Sequence, residues 1–429
     1  MLTYFLGGLK GKVFSLIWGS IIAQGLGFLF SPIMTRLYSP IELGVFSLFS
    51  SFFSLISAPA SGRYEFAVFL PPTEEEATTI ALLSFFVRLL FSFLLIILQF
   101  TVLPNFLHYW NLDCIRNFLW LLPLCIMVVG IFSILRNLSL RNREYEEIAK
   151  TKIWQTLGSE GFKLIGPICF SGGSFWLILS FIVGQSAGMI SLLRLRFKEF
   201  KNSLQKGTIG NFFVLLNKYK QFPIFSVPAS ILNTAVANIL PIFLNAFYGP
   251  ETVGEFSLAS LFISAPTILL TNSVSSVWTG EASSFLHKDA EKLTSLFWKI
   301  TKKLTIFSFF LIPLGLLSPW MVPLIFGKKW ANAGWFAFSL VYVTIGSFIV
   351  SPTSTVVTLA KRQDIGLVLD IFRAGVSFFS LFIVWRNNGD KFLAIWAYSL
   401  SGVGVYLIWF AVFIFLLNEI KKNSKKITP

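Results

Sequence analysis

Tyr38-Ser39-Pro40-Ile41-Glu42-Leu43-Gly44-Val45-Phe46-Ser47-Leu48 decides how the chain is organised, because six of its residues return as Tyr248, Pro250, Gly254, Phe256, Ser257 and Leu258. Every match lies 210 positions on, from 38 to 248, in a chain of 429 residues. The sequence is one half written twice. Each copy stands between long apolar segments, and repeated hydrophobic half-bundles are how many secondary transporters frame a substrate site between two moving halves. Transport is therefore the first expectation.

Composition fixes the environment. Hydrophobic residues make up 55% of the chain and charged residues only 13%, with 49 Phe and a mean hydropathy of +0.73. Soluble domains carry about 25% charged residues, so this is an integral membrane protein. A helix needs about 20 apolar residues to cross the hydrocarbon core. Runs of that kind begin near Val13, Leu43, Thr79, Phe118, Lys152, Ser174, Gln221, Gly254, Lys303, Ala333, Gly366 and Phe392. They predict an all-α fold of about twelve transmembrane helices, six in each repeat. The run from Lys152 to Phe170 is the weakest, since it contains Glu160 and Lys163. The first run is too long for a signal-peptide core and lacks a small-residue cleavage site, so it reads as a retained span.

The chain holds 35 Lys and Arg against 20 Asp and Glu. Alternating the loops between the two sides gathers Lys10, Lys12, Arg141, Arg143, Lys150, Lys292, Lys299, Lys421, Lys422 and the basic stretch from Arg194 to Lys220 on one side. The other side receives only Arg36, Arg116, Lys328, Lys329, Arg386 and Lys391. Basic residues concentrate in cytoplasmic loops, which predicts cytoplasmic N- and C-termini in a multi-pass protein. The excess charge is thus topological, and no aromatic-interleaved basic groove marks a nucleic-acid partner. The connection from Arg194 to Lys220 joins the repeats, dividing the chain into lobes at 1–205 and 206–429.

Ionisable side chains within the spans are costly and so informative. They are Arg88 in the third span, Glu160 and Lys163 in the fifth, and Asp370 and Arg373 in the eleventh. The offset of 210 carries Glu160 onto Asp370 and Lys163 onto Arg373. A spacing of three puts both members of each pair on one helix face. Two readings stay open. Either Lys163 and Arg373 attract an anion in a hydrated cavity while Glu160 and Asp370 titrate, or each pair neutralises itself in a helix contact. Asn233, Asn238, Asn245 and Asn272 in the seventh and eighth spans, with Gln24 in the first and Gln185 in the sixth, are polar enough to bind sugar hydroxyls, although amides in membrane helices more commonly tie helices together. Glu74, Glu75 and Glu76 suit the first turn of the third span, where the helix dipole favours anions. Cys114, Cys125 and Cys169 have no metal-ligand spacing and receive no role. No nucleophile–base pair, Gly-rich phosphate loop or metal-ligand cluster is recognisable, so neither enzymatic chemistry nor a cofactor is expected.

Leu37-Tyr-Ser-Pro-Ile-Glu-Leu-Gly44, Arg63-Tyr64-Glu65, Leu70-Pro71 and Glu74-Glu75-Glu76-Ala77 resemble the N-terminal signature of the polysaccharide biosynthesis (O-antigen flippase) transporters of the multidrug/oligosaccharidyl-lipid/polysaccharide exporter superfamily. Phe326-Gly327-Lys-Lys-Trp330, Ala333-Gly334, Ser351-Pro352, Gln363 and Arg373 are similar to the same family in the second half. The resemblance implies a two-lobed bundle in the inner membrane. Such a bundle moves a polyprenyl-pyrophosphate-linked oligosaccharide from the cytoplasmic to the outer leaflet by alternating access, among membrane lipids and beside other polysaccharide assembly proteins. On that reading Lys163, Arg373, Arg88 and Arg36 supply positive charge to the diphosphate. Glu160 and Asp370 couple the movement, and Arg63, Tyr64 and Glu65 set conformation or guard the inner mouth. The alternatives are a multidrug cation antiporter of the same superfamily, which wants unpaired cavity acids, and a polysaccharide polymerase, which wants a large outer loop. The Arg63-Tyr64-Glu65 element has no second copy: Ser273-Val274-Ser275 stands at the matching place.

Overall fold

The computed structural model describes residues 11–109, 111–169, 173–205, 212–285, 290–360 and 362–427, so Lys10, Lys206, His287, Lys288 and Lys361 lie outside the described residues. In chain order the helices are α1 (Gly11–Leu37), α2 (Pro40–Ser57), the single turn α3 (Tyr64–Ala67), α4 (Glu74–Thr101), α5 (Leu103–Tyr109), α6 (Leu121–Arg141), α7 (Tyr145–Cys169) and α8 (Ser174–Gln205). They continue as α9 (Phe212–Lys218), α10 (Val227–Phe285), α11 (Ala290–Ser308), α12 (Leu311–Phe326), α13 (Ala331–Val350), α14 (Val356–Leu359), α15 (Gln363–Arg386) and α16 (Lys391–Ile427). No strand occurs among the described residues, and the all-α membrane fold stands.

By length and apolarity, eight helical stretches among the described residues can cross a membrane, or nine if the bent pair Phe222–Ala235 and Ala237–Ile268 is one span. That measure does not reach the expected number of about twelve. The fifth expected span is nonetheless a helix of 25 residues, α7, whose Lys152, Glu160 and Lys163 dilute its apolar window.

The repeated motif has a local reason in its first copy. Ser39 is the N-cap of α2: its hydroxyl accepts from the Glu42 amide while the Glu42 carboxylate accepts from the Ser39 amide. That reciprocal box and Pro40 in the first turn fix where the helix starts. In the second copy Gly249 replaces the serine and breaks α10 with φ 82°, a left-handed angle that glycine takes without strain. The motif glycines meet. A Cβ on Gly44 would overlap the Pro250 carbonyl, and one on Gly254 would overlap the Pro40 carbonyl. Thr73 caps α4 in turn, accepting from the Glu76 amide, with Glu74, Glu75 and Glu76 in its first turn as expected.

Packing divides the helices into Met1–Gly254 and Glu255–Pro429, a division distinct from the repeat boundary at 205/206, which is a property of the sequence. In the first unit α7 lies against both α1 and α8, and α6 against α4 and α8. In the second, α13 packs on α12 and α16, and α16 also on α15. The second unit buries Glu255, only 1% exposed, whose carboxylate takes the Lys391 ammonium at 2.8 Å and the Asn332 amide at 2.7 Å. A carboxylate so deeply buried is tolerable because both oxygens are satisfied.

A cationic cavity in the first unit

The turn after α2 carries Gly62 and Arg63 in succession at φ 59° and 61°. Gly62 takes this region freely, but a non-glycine residue there costs on the order of 1–2 kcal/mol, so something must hold Arg63. Four buried side chains, Ser61, Glu65, Arg88 and Asn137, fix the turn around it. The Ser61 hydroxyl donates to the Glu65 carboxylate and accepts from Arg88 Nη2 at 3.2 Å. Arg88 Nη1 is fixed in turn on the Ile126 carbonyl at 3.1 Å. Asn137 Nδ2 donates to the Glu65 carbonyl at 2.9 Å.

Arg88 is only 3% exposed. Gly130 on α6 makes its place, since a Cβ there would overlap the guanidinium. The Arg88 Nε hydrogen has no partner, which leaves a donor available in a region where unmade hydrogen bonds are expensive.

Arg63, Glu65 and Arg88 line a cavity of about 500 Å³. The same lining includes Ser54 from α2 and Ser230, Asn233, Thr234 and Asn238 from α10. The cavity therefore joins guanidinium donors to a hydroxyl- and amide-bearing surface, within one packing unit.

Tyr64 points elsewhere. It is buried with Leu215 and Tyr219 in a cluster that also takes in Ala77, Ile80 and Ile134, and its hydroxyl donates to the Leu216 carbonyl at 3.4 Å. Glu76 adds a second tie, accepting from Lys218 Nζ at 2.5 Å and from the Tyr219 hydroxyl at 3.1 Å. That hydrogen bond holds the Lys218 ammonium pKa above its ordinary value. The linker helix α9 is thereby fastened to the first unit. Arg141 braces the adjoining turn by donating to the Val68, Pro71 and Thr73 carbonyls at 2.8, 2.6 and 3.3 Å.

Both acid–base pairs expected from the repeat are formed. Lys163 Nζ lies 2.7 Å from Glu160 Oε1, with side chains 15% and 10% exposed. Arg373 Nη2 lies 3.4 Å from Asp370 Oδ1, at 33% and 24% exposure, and the Arg373 guanidinium stands 5.8 Å from the Trp409 ring centre. The Tyr38 hydroxyl donates to the Lys163 carbonyl at 2.9 Å, tying the repeated motif to α7. Lys163 is not among the residues lining the cavity described above. Arg36 is exposed in the last turn of α1.

Ser61, Gly130, Asn137, Ser230 and Thr234 were not legible as site residues. Ser230, Thr234 and Asn238 recur every four residues, the spacing of one helix face. That stripe was the available signal.

A sequence profile for polysaccharide biosynthesis proteins matches residues 33–334. The teichuronic acid biosynthesis protein TuaB of Bacillus subtilis (strain 168) is 21% identical over 355 residues, which cover 81% of this chain and 70% of that protein. Among solved structures, an inward-facing multidrug resistance MATE transporter of the MOP superfamily aligns at TM-score 0.72 with 13% identity, covering 93% of this chain and 96% of that one. The lipid II flippase MurJ, in an inward closed conformation, aligns at 0.70 with 16% identity, covering 95% and 90%. At such identities the structural likeness speaks for the fold.

Proposed function

The chain belongs to the polysaccharide biosynthesis protein family, and from that premise we propose that it carries a polyprenyl-diphosphate-linked saccharide across the cell membrane by alternating access. The observation that carries the reading is the pair Arg63 and Arg88 in the lining of one cavity of about 500 Å³, with Arg88 almost fully buried. That volume is in the range of small-molecule sites, about 300–1,000 Å³. The isoprenoid tail of such a substrate can stay in lipid, while its diphosphate cannot cross hydrocarbon without a polar path. Guanidinium groups fit phosphate oxygens through their planar fork. Arg88 is held ready by Ile126 and Ser61, so little order has to be gained on binding. Glu65 in the same lining offsets part of the positive charge, which keeps binding reversible, as a transport cycle requires.

In this scheme Lys163 and Arg373 are further stations for the anion, and Arg36 adds positive charge at an end of α1. Glu160 and Asp370 are the groups whose pairing changes during the cycle. The basic-residue asymmetry supports cytoplasmic N- and C-termini in the inner membrane. A multidrug cation antiporter is the less favoured reading, because an organic cation would meet two guanidinium groups here.

Reconstituted vesicles loaded with a lipid-linked saccharide test the proposal. Arg63→Gln is expected to lower translocation about 10- to 100-fold, the scale of a lost charge-assisted hydrogen bond of about 1.5–3 kcal/mol. Wild-type translocation by both Arg63→Gln and Arg88→Gln would overturn the assignment.

A further inference from the structure

Three of the hydroxyls lining this cavity share one property. Ser54 donates its only hydrogen to the Ser50 carbonyl at 2.8 Å, Ser230 to the Val227 carbonyl at 3.0 Å, and Thr234 to the Ser230 carbonyl at 2.7 Å. Asn238 spends one amide hydrogen on the Thr234 carbonyl at 2.8 Å. A hydroxyl has one hydrogen and two lone pairs. Back-bonding to the helix, common for Ser and Thr in such positions, therefore leaves these three groups able only to accept.

Arg63 and Arg88, in the same lining, have the reverse character, since a guanidinium only donates. The cavity thus combines donors at Arg63 and Arg88 with acceptors at Ser54, Ser230 and Thr234, the Glu65 carboxylate adding an acceptor and the Asn233 and Asn238 amides able both to donate and to accept. A matching ligand carries acceptor oxygens together with hydroxyl groups. We infer that Ser54, Ser230 and Thr234 form a subsite for the sugar attached directly to the diphosphate, recognised through hydroxyl hydrogens that the sugar donates. The inference rests on the diphosphate reading of the same cavity and adds to it the residues that distinguish a glycosylated carrier from a bare one.

Acceptor oxygens could equally coordinate a small cation. Two guanidinium groups lining the same space repel one, whereas a sugar hydroxyl carries no charge to repel. Each hydroxyl–hydroxyl hydrogen bond is worth about 0.5–1.5 kcal/mol net, or roughly 2- to 10-fold in affinity. Three such bonds would make the sugar, rather than the lipid, the discriminating part of the carrier.

The test measures binding of two probes to the full-length protein in detergent: a short-chain isoprenyl diphosphate, and the same diphosphate bearing one hexose. Thr234→Val keeps the side-chain shape and removes the acceptor. It is expected to weaken the hexose-bearing probe about 2- to 10-fold and to leave the bare diphosphate unchanged, with Ser54→Ala behaving alike. Permethylating the hexose removes its donors and is expected to abolish its advantage over the bare probe in the wild-type protein. Arg63→Gln is expected to weaken both probes. If Arg63→Gln weakens neither, the diphosphate reading fails. If it weakens both while Thr234→Val and Ser54→Ala affect the two probes equally, or the permethylated hexose binds as well as the free one, the sugar subsite fails and the diphosphate site stands. A hexose advantage that follows sodium concentration and not sugar methylation makes the subsite an ion site and overturns the inference.

Discussion

Gly44 and Gly254 are in reciprocal backbone contact: each leaves room for the carbonyl at the head of the other motif copy, Pro250 for Gly44 and Pro40 for Gly254. Two residues related by the 210-residue offset thus meet, so the repeat is a packing relationship as well as a sequence one. Alanine at either position must push a backbone carbonyl aside. Gly44→Ala and Gly254→Ala are each expected to cost about 1–3 kcal/mol, as overpacked sites do. Because they open the same contact, the double variant should cost less than the sum. Thermal unfolding in detergent checks both, and strict additivity would mean that the two sites yield independently.

Gly130→Ala is expected to act through Arg88. The added methyl takes the guanidinium's place, breaking the bonds to Ile126 and Ser61 and releasing the turn that presents Arg63. Translocation should fall about as far as in Arg88→Gln, within a few-fold. Wild-type transport by Gly130→Ala would show that Arg88 has another place to go.

Glu160 and Asp370 each face a base three residues on, at 2.7 and 3.4 Å. If the substrate diphosphate competes for Lys163 and Arg373, each acid gives up its partner during the cycle. Glu160→Gln with Asp370→Asn is then expected to slow translocation more than it weakens binding. An unchanged rate in reconstituted vesicles would leave both acids as structural partners.

Topology can be read by labelling single cysteines in a cysteine-free background. Asn388, exposed in the turn after α15, should react with an impermeant reagent in intact cells when replaced by Cys. Lys220→Cys, at the end of the linker, should react only after the cells are opened. The reverse pattern would invert the orientation.

The parts of this architecture that follow from spacing along the chain were legible in the sequence, and those that depend on convergence were not. The 210-residue offset, the capping glutamates of α4 and the two acid–base pairs are relations of fixed register, and each appears where register puts it. Arg63 and Arg88 are different. They line one cavity, with the Ser61 hydroxyl linking Arg88 to Glu65, and no periodicity joins a turn after α2 to the middle of α4. The runs near Gln221 and Gly254 read as two spans, and α10 is likewise two helices that meet at a kink at Gly249. The stripe Ser230, Thr234, Asn238 follows a helical period, but only the arginines that share its cavity give it a meaning.

Tyr64 joins two things that look unrelated. Its ring is packed among linker residues and its hydroxyl is held by Leu216, while the residue before it lines the cavity. Arg63 and Tyr64 are joined by one peptide bond. The turn that brings Arg63 to the cavity is therefore also the turn on which the linker helix is seated.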